Sequence, residues 1–104
     1  MYLFTYVKIY THPDLEQVSL SQVMQALSDP CRIGIMQALI AEKELACNAL
    51  PVSVAKATLS HHMAVLRDAG LIRTRVEGTK CLNSVRMEAF EDYFPGLLDL
   101  LKAA

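Results

Sequence analysis

The sequence has 104 residues and no apolar run near the roughly 18–20 that a membrane-spanning helix needs, so no membrane partner is expected. The apolar, aromatic opening MYLFTYVKIY is followed by no small-residue cleavage site, and Lys8 comes after its apolar residues rather than before them. It does not read as a signal peptide. Cysteine is scarce: three residues, an odd number, widely spaced and with no C-x-x-C pair. That excludes a disulfide framework and points to reduced thiols in a cytoplasmic protein. Internal repeats and low-complexity tracts are absent. No paired carboxylates, nucleophile–base pair or metal-ligand set emerges, so neither an enzyme nor a cofactor is expected. Net positive charge is also lacking, at a formal −1, which taken alone argues against a nucleic-acid binder.

The distribution of charge argues the other way. Residues 53–86 hold Lys56, Arg67, Arg73, Arg75, Lys80 and Arg86 against Asp68 and Glu77, a local charge of +4, while the rest of the chain carries −5. Local field, not total charge, governs docking on a phosphate backbone. This stretch also has the clearest periodicity. Leu59, Met63, Leu66 and Gly70 share one helical face, widened by Val65 and Ala69. The opposite side presents Ala57, Ser60, His61, Ala64 and Asp68, small or short polar groups suited to close approach in a major groove. The helix N-terminus favours phosphate, and Gly70 supplies the stop. LIRTRV then alternates, EGTK supplies a turn at Gly78, and CLNSVR returns as a second strand. A basic hairpin beside a recognition helix can grip the phosphates flanking a groove.

The chain is expected to be a single domain over residues 1–104, mainly α with a small β-hairpin. Residues 2–10 suggest a short strand or ordered arm, broken at Pro13. SLSQVMQALSD reads as a helix with Leu20, Val23, Met24 and Leu27 on one face, capped by Ser19 with Gln22 as a capping-box partner. Asp29-Pro30 starts a second helix with core residues Ile33, Met36, Ala38, Leu39 and Ile40. EKELACNAL reads as a short third helix, placing a helix-turn-helix at about 44–70 and the wing at about 71–86. Beyond it, Phe90, Tyr93, Phe94, Leu97, Leu98 and Leu101 form an apolar stripe on helical segments broken at Pro95. With hydrophobic content at 53 %, some apolar surface is expected to be covered by a partner chain.

ALSDPCRIGIMQAL, TLSHHMAVLRDAGLI and RTRVEGTK together resemble the ArsR family of winged-helix repressors, in order and spacing over roughly residues 20–86. The resemblance implies a winged helix-turn-helix homodimer on a double-stranded DNA operator, paired through its first and last helices (15–28 and 87–104). It also implies an effector that releases the DNA, of unknown identity here. The candidate DNA-contacting residues are Lys56, Ala57, Thr58, Ser60 and His61 on the helix and Arg73, Arg75 and Lys80 on the wing. The candidate dimer residues are Leu20, Met24, Phe90, Phe94, Leu97, Leu98 and Leu101. Metal-sensing members carry C-x-C where this chain has Ala46, Cys47 and Asn48, and residues 87–104 contain no His or Cys. Neither inherited metal site carries over, and no metal is expected.

The remaining candidates have plainer readings. Adjacent helical residues point about 100° apart, so His61 and His62 do not share an ion easily; His61 is expected in the groove and His62 packed or capping. Cys31 and Cys47 are candidate redox thiols, against the alternative of small buried hydrophobes. Cys81, in the wing, is expected to lie far from Cys31. A winged-helix module for protein–protein interaction is the competing function.

Overall fold

The computed structural model describes residues 10–104, so the arm expected over residues 2–10 lies outside it except for Tyr10. A 3₁₀ turn at Leu15–Gln17 leads into α1 (Leu20–Ala26) and α2 (Pro30–Glu42). Then come β1 (Glu44–Ala46), a 3₁₀ turn at Cys47–Ala49, α3 (Lys56–Asp68), β2 (Ile72–Glu77), β3 (Lys80–Val85), α4 (Met87–Tyr93) and α5 (Leu97–Ala103).

The helix starts follow from local chemistry. The Ser19 hydroxyl accepts from the Gln22 amide at 3.2 Å, but the reciprocal half of the expected capping box is not made, because the Gln22 side chain donates instead to the Asp68 carbonyl at 3.0 Å. Asp29 caps α2 by accepting from the amides of Cys31 (2.8 Å) and Arg32 (3.2 Å), with Pro30 in the first turn. α3 closes in a Schellman arrangement: the Gly70 N–H donates to the Arg67 carbonyl and the Leu71 N–H to the Leu66 carbonyl, both at 3.0 Å. Gly70 sits at φ 78°, and a Cβ there would collide with the Leu15 side chain.

One element differs in kind from the expectation. EKELACNAL does not form a helix; Glu44–Ala46 is a strand pairing antiparallel with β3 in the register Glu44↔Ser84, Leu45↔Asn83, Ala46↔Leu82. Beyond Glu42, which ends α2, only the 3₁₀ turn at Cys47–Ala49 is helical in this stretch. The physical reason is non-local. β3 offers a free edge, and the Asn83 side-chain amide adds a bond to the Leu45 carbonyl at 3.2 Å. The sheet order is β1-β3-β2.

α2 runs through the core. Ile35, Met36 and Leu39 are its fully buried residues; Ile35 was not expected, and Ile33 and Ile40 are only partly covered. Met63 and Leu66 of α3, Leu71, Ile72 and Phe90 pack with them. At the C-terminus, α4 and α5 meet at the Pro95 break, and the Gln37 amide donates to the carbonyls of Leu101 (3.0 Å) and Ala104 (2.9 Å). Three of the expected dimer residues, Phe90, Leu98 and Leu101, are thereby buried within the protomer, with at most 5 % exposure. Phe94 and Leu97 are half-buried. The outward residues are Leu20, Met24, Met87, Tyr93 and Leu100, because Leu100 projects from α5 between the two inward leucines. Among the described residues no helix is long and apolar enough to cross a membrane.

Candidate nucleic-acid interface

α3 carries its apolar face inward on His62, Met63 and Leu66. That burial turns Lys56, Ala57, Thr58, Ser60 and His61 to solvent. Ala55 at the helix N-cap makes no side-chain capping bond. The first amides of α3 therefore keep free donors beside an exposed lysine, the arrangement in which helix termini receive anions.

The helix is clamped along its length. The buried His62 takes a hydrogen bond at Nδ1 from Arg32 Nη1 at 3.0 Å; arginine has only donors, so the imidazole nitrogen accepts. Arg32 Nε donates to the Ala26 carbonyl at 2.6 Å, joining the end of α1, the start of α2 and the middle of α3. Gln22 holds the far end through Asp68. A packed role for His62 was expected; Arg32 was missed, and its place in the DPCR segment was the available signal.

Three groups of ligating type converge at this station. Asp29, Cys31 and His62 bring ligating atoms within 4.8 Å of one another. Two of the three groups are already engaged. Desolvation works against ionisation of Asp29, yet the amides of Arg32 and Cys31 outweigh it and hold the carboxyl below its usual range. His62 receives a guanidinium that an incoming cation would have to displace. The cluster is a cap and a clamp.

The wing is tied to α3 by a buried polar relay. Arg67 Nη1 donates to Thr74 Oγ1 at 2.9 Å, Thr74 Oγ1 to Asn83 Oδ1 at 2.8 Å, and Asn83 Nδ2 contacts Cys47 Sγ at 3.3 Å. Asn83 is fully buried, and its importance was not legible in CLNSVR. On the outer edge of β2 the Thr74 N–H donates to His12 Nε2 at 2.9 Å. Desolvation, then Arg86, Arg73 and Arg67, push the His12 pKa down. The Arg67 guanidinium lies 4.2 Å from the centre of the Tyr10 ring. The Tyr10 hydroxyl is pushed up to about 12, chiefly by its hydrogen bond with Cys81.

The wing cations are not equivalent. Arg73 and Lys80 are exposed. Arg75 is also exposed but held by two bonds to Glu44, at 3.0 and 3.3 Å, and by Glu77; the Glu44 bonds first, then Glu77, raise its pKa. Its charge is internally compensated. Arg86 turns away from the wing: its guanidinium donates to the Pro13 carbonyl at 2.8 Å, and desolvation followed by Arg73 lowers its pKa.

A helix-turn-helix domain model matches residues 27–75. The HTH-type transcriptional regulator YceK of Bacillus subtilis is 37 % identical over 84 residues, 78 % of this chain and 84 % of the relative. The arsenical resistance operon repressor of Staphylococcus xylosus is 36 % identical over 86 residues, 82 % of each chain. A crystal structure of an ArsR family transcriptional regulator superposes with a TM-score of 0.65 at 26 % identity, covering 81 % of this chain and 93 % of that one. The uncapped, solvent-facing N-terminal half of α3, the basic wing and these likenesses agree: the chain belongs to the ArsR family of winged helix-turn-helix transcriptional regulators, DNA-binding proteins rather than enzymes.

Proposed function

We propose that the protein is a homodimeric, cytoplasmic repressor whose α3 reads an operator in the major groove while Arg73 and Lys80 hold the flanking phosphates. The observation that carries the reading is the stripe Ala57, Ser60 and His61. It is exposed and made of side chains short enough for base edges, and it is fixed from behind by the Arg32–His62 bond. Lys56 and Thr58 flank the stripe at the free helix N-terminus. Dimerisation is supported by Leu20 and Met24 on α1 and Leu100 on α5, which are 54 %, 46 % and 63 % exposed; large apolar side chains left open on two terminal helices suit a second copy of the chain. Repression is the role named for the Staphylococcus xylosus relative.

The test is a salt-dependent gel shift on the DNA upstream of the gene, with the Ser60→Ala, His61→Ala double variant beside the wild type. Wild-type binding should weaken steeply with salt. The variant should keep its far-ultraviolet spectrum and lose about 1–3 kcal/mol per base contact removed. Undiminished operator binding by a folded double variant would move the reading surface elsewhere.

A further inference from the structure

Tyr10, Cys81 and Cys47 gather around Asn83, at the end of the relay that runs from Arg67 through Thr74. In the β1–β3 register every paired couple sums along one antiparallel ladder, ending at Ala46↔Leu82. Ala46 is still extended, at φ −70° and ψ 155°, so the chain leaves the ladder with Cys47, the first residue of the 3₁₀ turn, beside the end of the ladder where Cys81 follows Leu82 on β3. Residues two apart on a strand share a face. Cys81 therefore shares its face with Asn83, and Asn83 Nδ2 touches Cys47 Sγ at 3.3 Å. On the same side, the Tyr10 hydroxyl hydrogen-bonds Cys81 Sγ at 3.3 Å. Opposed Cα atoms in an antiparallel ladder stand about 4.5–5.5 Å apart and a disulfide spans roughly 4.4–6.8 Å, so two cysteines just past the last pair, both acting on the same Tyr10 hydroxyl, need only a small adjustment to close. Both cysteines are free thiols and partly exposed, within reach of a small oxidant. Cys31, one of the two candidate redox thiols, belongs to a different cluster, with Asp29 and His62, and takes no part in this couple.

We propose that Cys47 and Cys81 form a reversible intramolecular disulfide site, oxidised by a hydroperoxide, that staples the wing to the segment leading into α3. One thiolate attacks the peroxide oxygen to give a sulfenic acid and release an alcohol, or water from hydrogen peroxide. The second thiol attacks that sulfur and water leaves. In balance, two thiols and one hydroperoxide give one disulfide, one alcohol and one water. Closure takes the thiol hydrogens from both sulfurs and draws Cys47 and Cys81 toward each other, which disturbs the bonds they make with the Asn83 amide and the Tyr10 hydroxyl. The same Asn83 accepts from Thr74, which accepts from Arg67 of α3. Oxidation therefore acts on the relay that seats the wing against the reading helix. Its effect on DNA rests on the operator-binding function proposed above; the formation of the bond does not.

The experiment treats the full-length protein with hydrogen peroxide, then counts alkylatable thiols by mass and maps the linked peptides. In the wild type the count should fall from three to one, with a Cys47–Cys81 peptide that dithiothreitol dissolves. Cys31→Ser should form the same link; Cys47→Ser and Cys81→Ser should not. A link through Cys31, a link only between chains, or oxidation of each thiol alone would overturn the site. Fluorescence anisotropy on the upstream DNA then reads the regulation. Oxidised wild type should bind about tenfold more weakly, within the usual range of coupling between sites, and Cys81→Ser should be indifferent to peroxide. Equal affinity of the linked and reduced forms would overturn the regulatory half. Failure of the reduced protein to bind any upstream DNA would count against the operator function, while the peptide map still decides the disulfide.

Discussion

Replacing Gly70 with alanine tests the joint between α3 and the wing. Two separate costs are expected. The backbone there stands at φ 78°, where an L side chain is disfavoured by about 1–2 kcal/mol. The new methyl also meets Leu15, a residue only 3 % exposed, with Val18 Cγ2 3.5 Å away behind it. Leu15 can yield only by rotating within a filled core, which adds about 1–2 kcal/mol, the lower part of the range for overpacking. The total, about 2–4 kcal/mol, is a large share of the roughly 5–15 kcal/mol that holds a domain folded. Gly78→Ala is the internal control. Its φ is 63° but a Cβ there meets nothing within 4 Å, so only the backbone cost of about 1–2 kcal/mol applies. Urea denaturation of both variants at one protein concentration, and of Gly70→Ala in a Leu15→Ala background, separates the contributions. With Leu15 truncated, the Gly70 substitution should cost no more than the Gly78 one. If it costs as much in that background as in the wild type, the overlap with Leu15 is not what makes position 70 a glycine.

Other outcomes follow from the same geometry. Lys80→Ala should flatten the salt dependence of DNA binding by about one unit, whereas Arg75→Ala should change it less, because Glu44 and Glu77 already compensate that charge; equal slopes for the two variants would contradict the assignment. His12 has a lowered pKa in the fold, so between that value and the ordinary imidazole range the unfolded chain binds the extra proton. Stability should therefore fall as pH is lowered through that window and be retained above it, and denaturation midpoints of His12→Gln should lose this part of the pH dependence. Leu20→Asp combined with Leu100→Asp should leave a folded monomer in sedimentation, since both side chains stand in solvent in the protomer; a dimer of undiminished affinity would place the interface elsewhere.

What was legible in the sequence was what short-range chemistry decides. Asp29-Pro30 starts a helix whatever surrounds it, Gly70 ends one, Gly78 turns a hairpin, and the period of Leu59, Met63 and Leu66 orients α3. What was misread depends on residues far away in the chain. Glu44–Ala46 is a strand because β3 lies alongside it almost forty residues later, as the pairing Glu44↔Ser84 records. Arg75 reads as a free wing cation until the fold delivers Glu44 to it. The stripe from Phe90 to Leu101 is apolar on both sides of the turn at Pro95, and periodicity alone does not say which half faces its own core; the packing of α2 against α5 decides that for Leu98 and Leu101. In the candidate interface, exposure of Ser60 and His61 followed from the helical period, while the Arg32–His62 and Thr74–Asn83 bonds join separate elements and leave no periodic trace.

Gln22 of α1 and Arg32 at the start of α2 bracket α3, one at the Asp68 carbonyl and the other by bridging Ala26 of α1 to His62. The outer side of that bracket bears Leu20 and Met24. A second copy seated on those side chains would carry its own bracketed helix, and the distance between the two would be set by how α1 docks rather than by the residues that meet the bases. Two-fold readers need half-sites about one helical turn of DNA apart. Substitutions on the outside of α1 would then change the tolerated gap between half-sites while leaving the preferred letters of each half-site untouched. In this chain, spacing and spelling would be written on opposite sides of the same pair of helices.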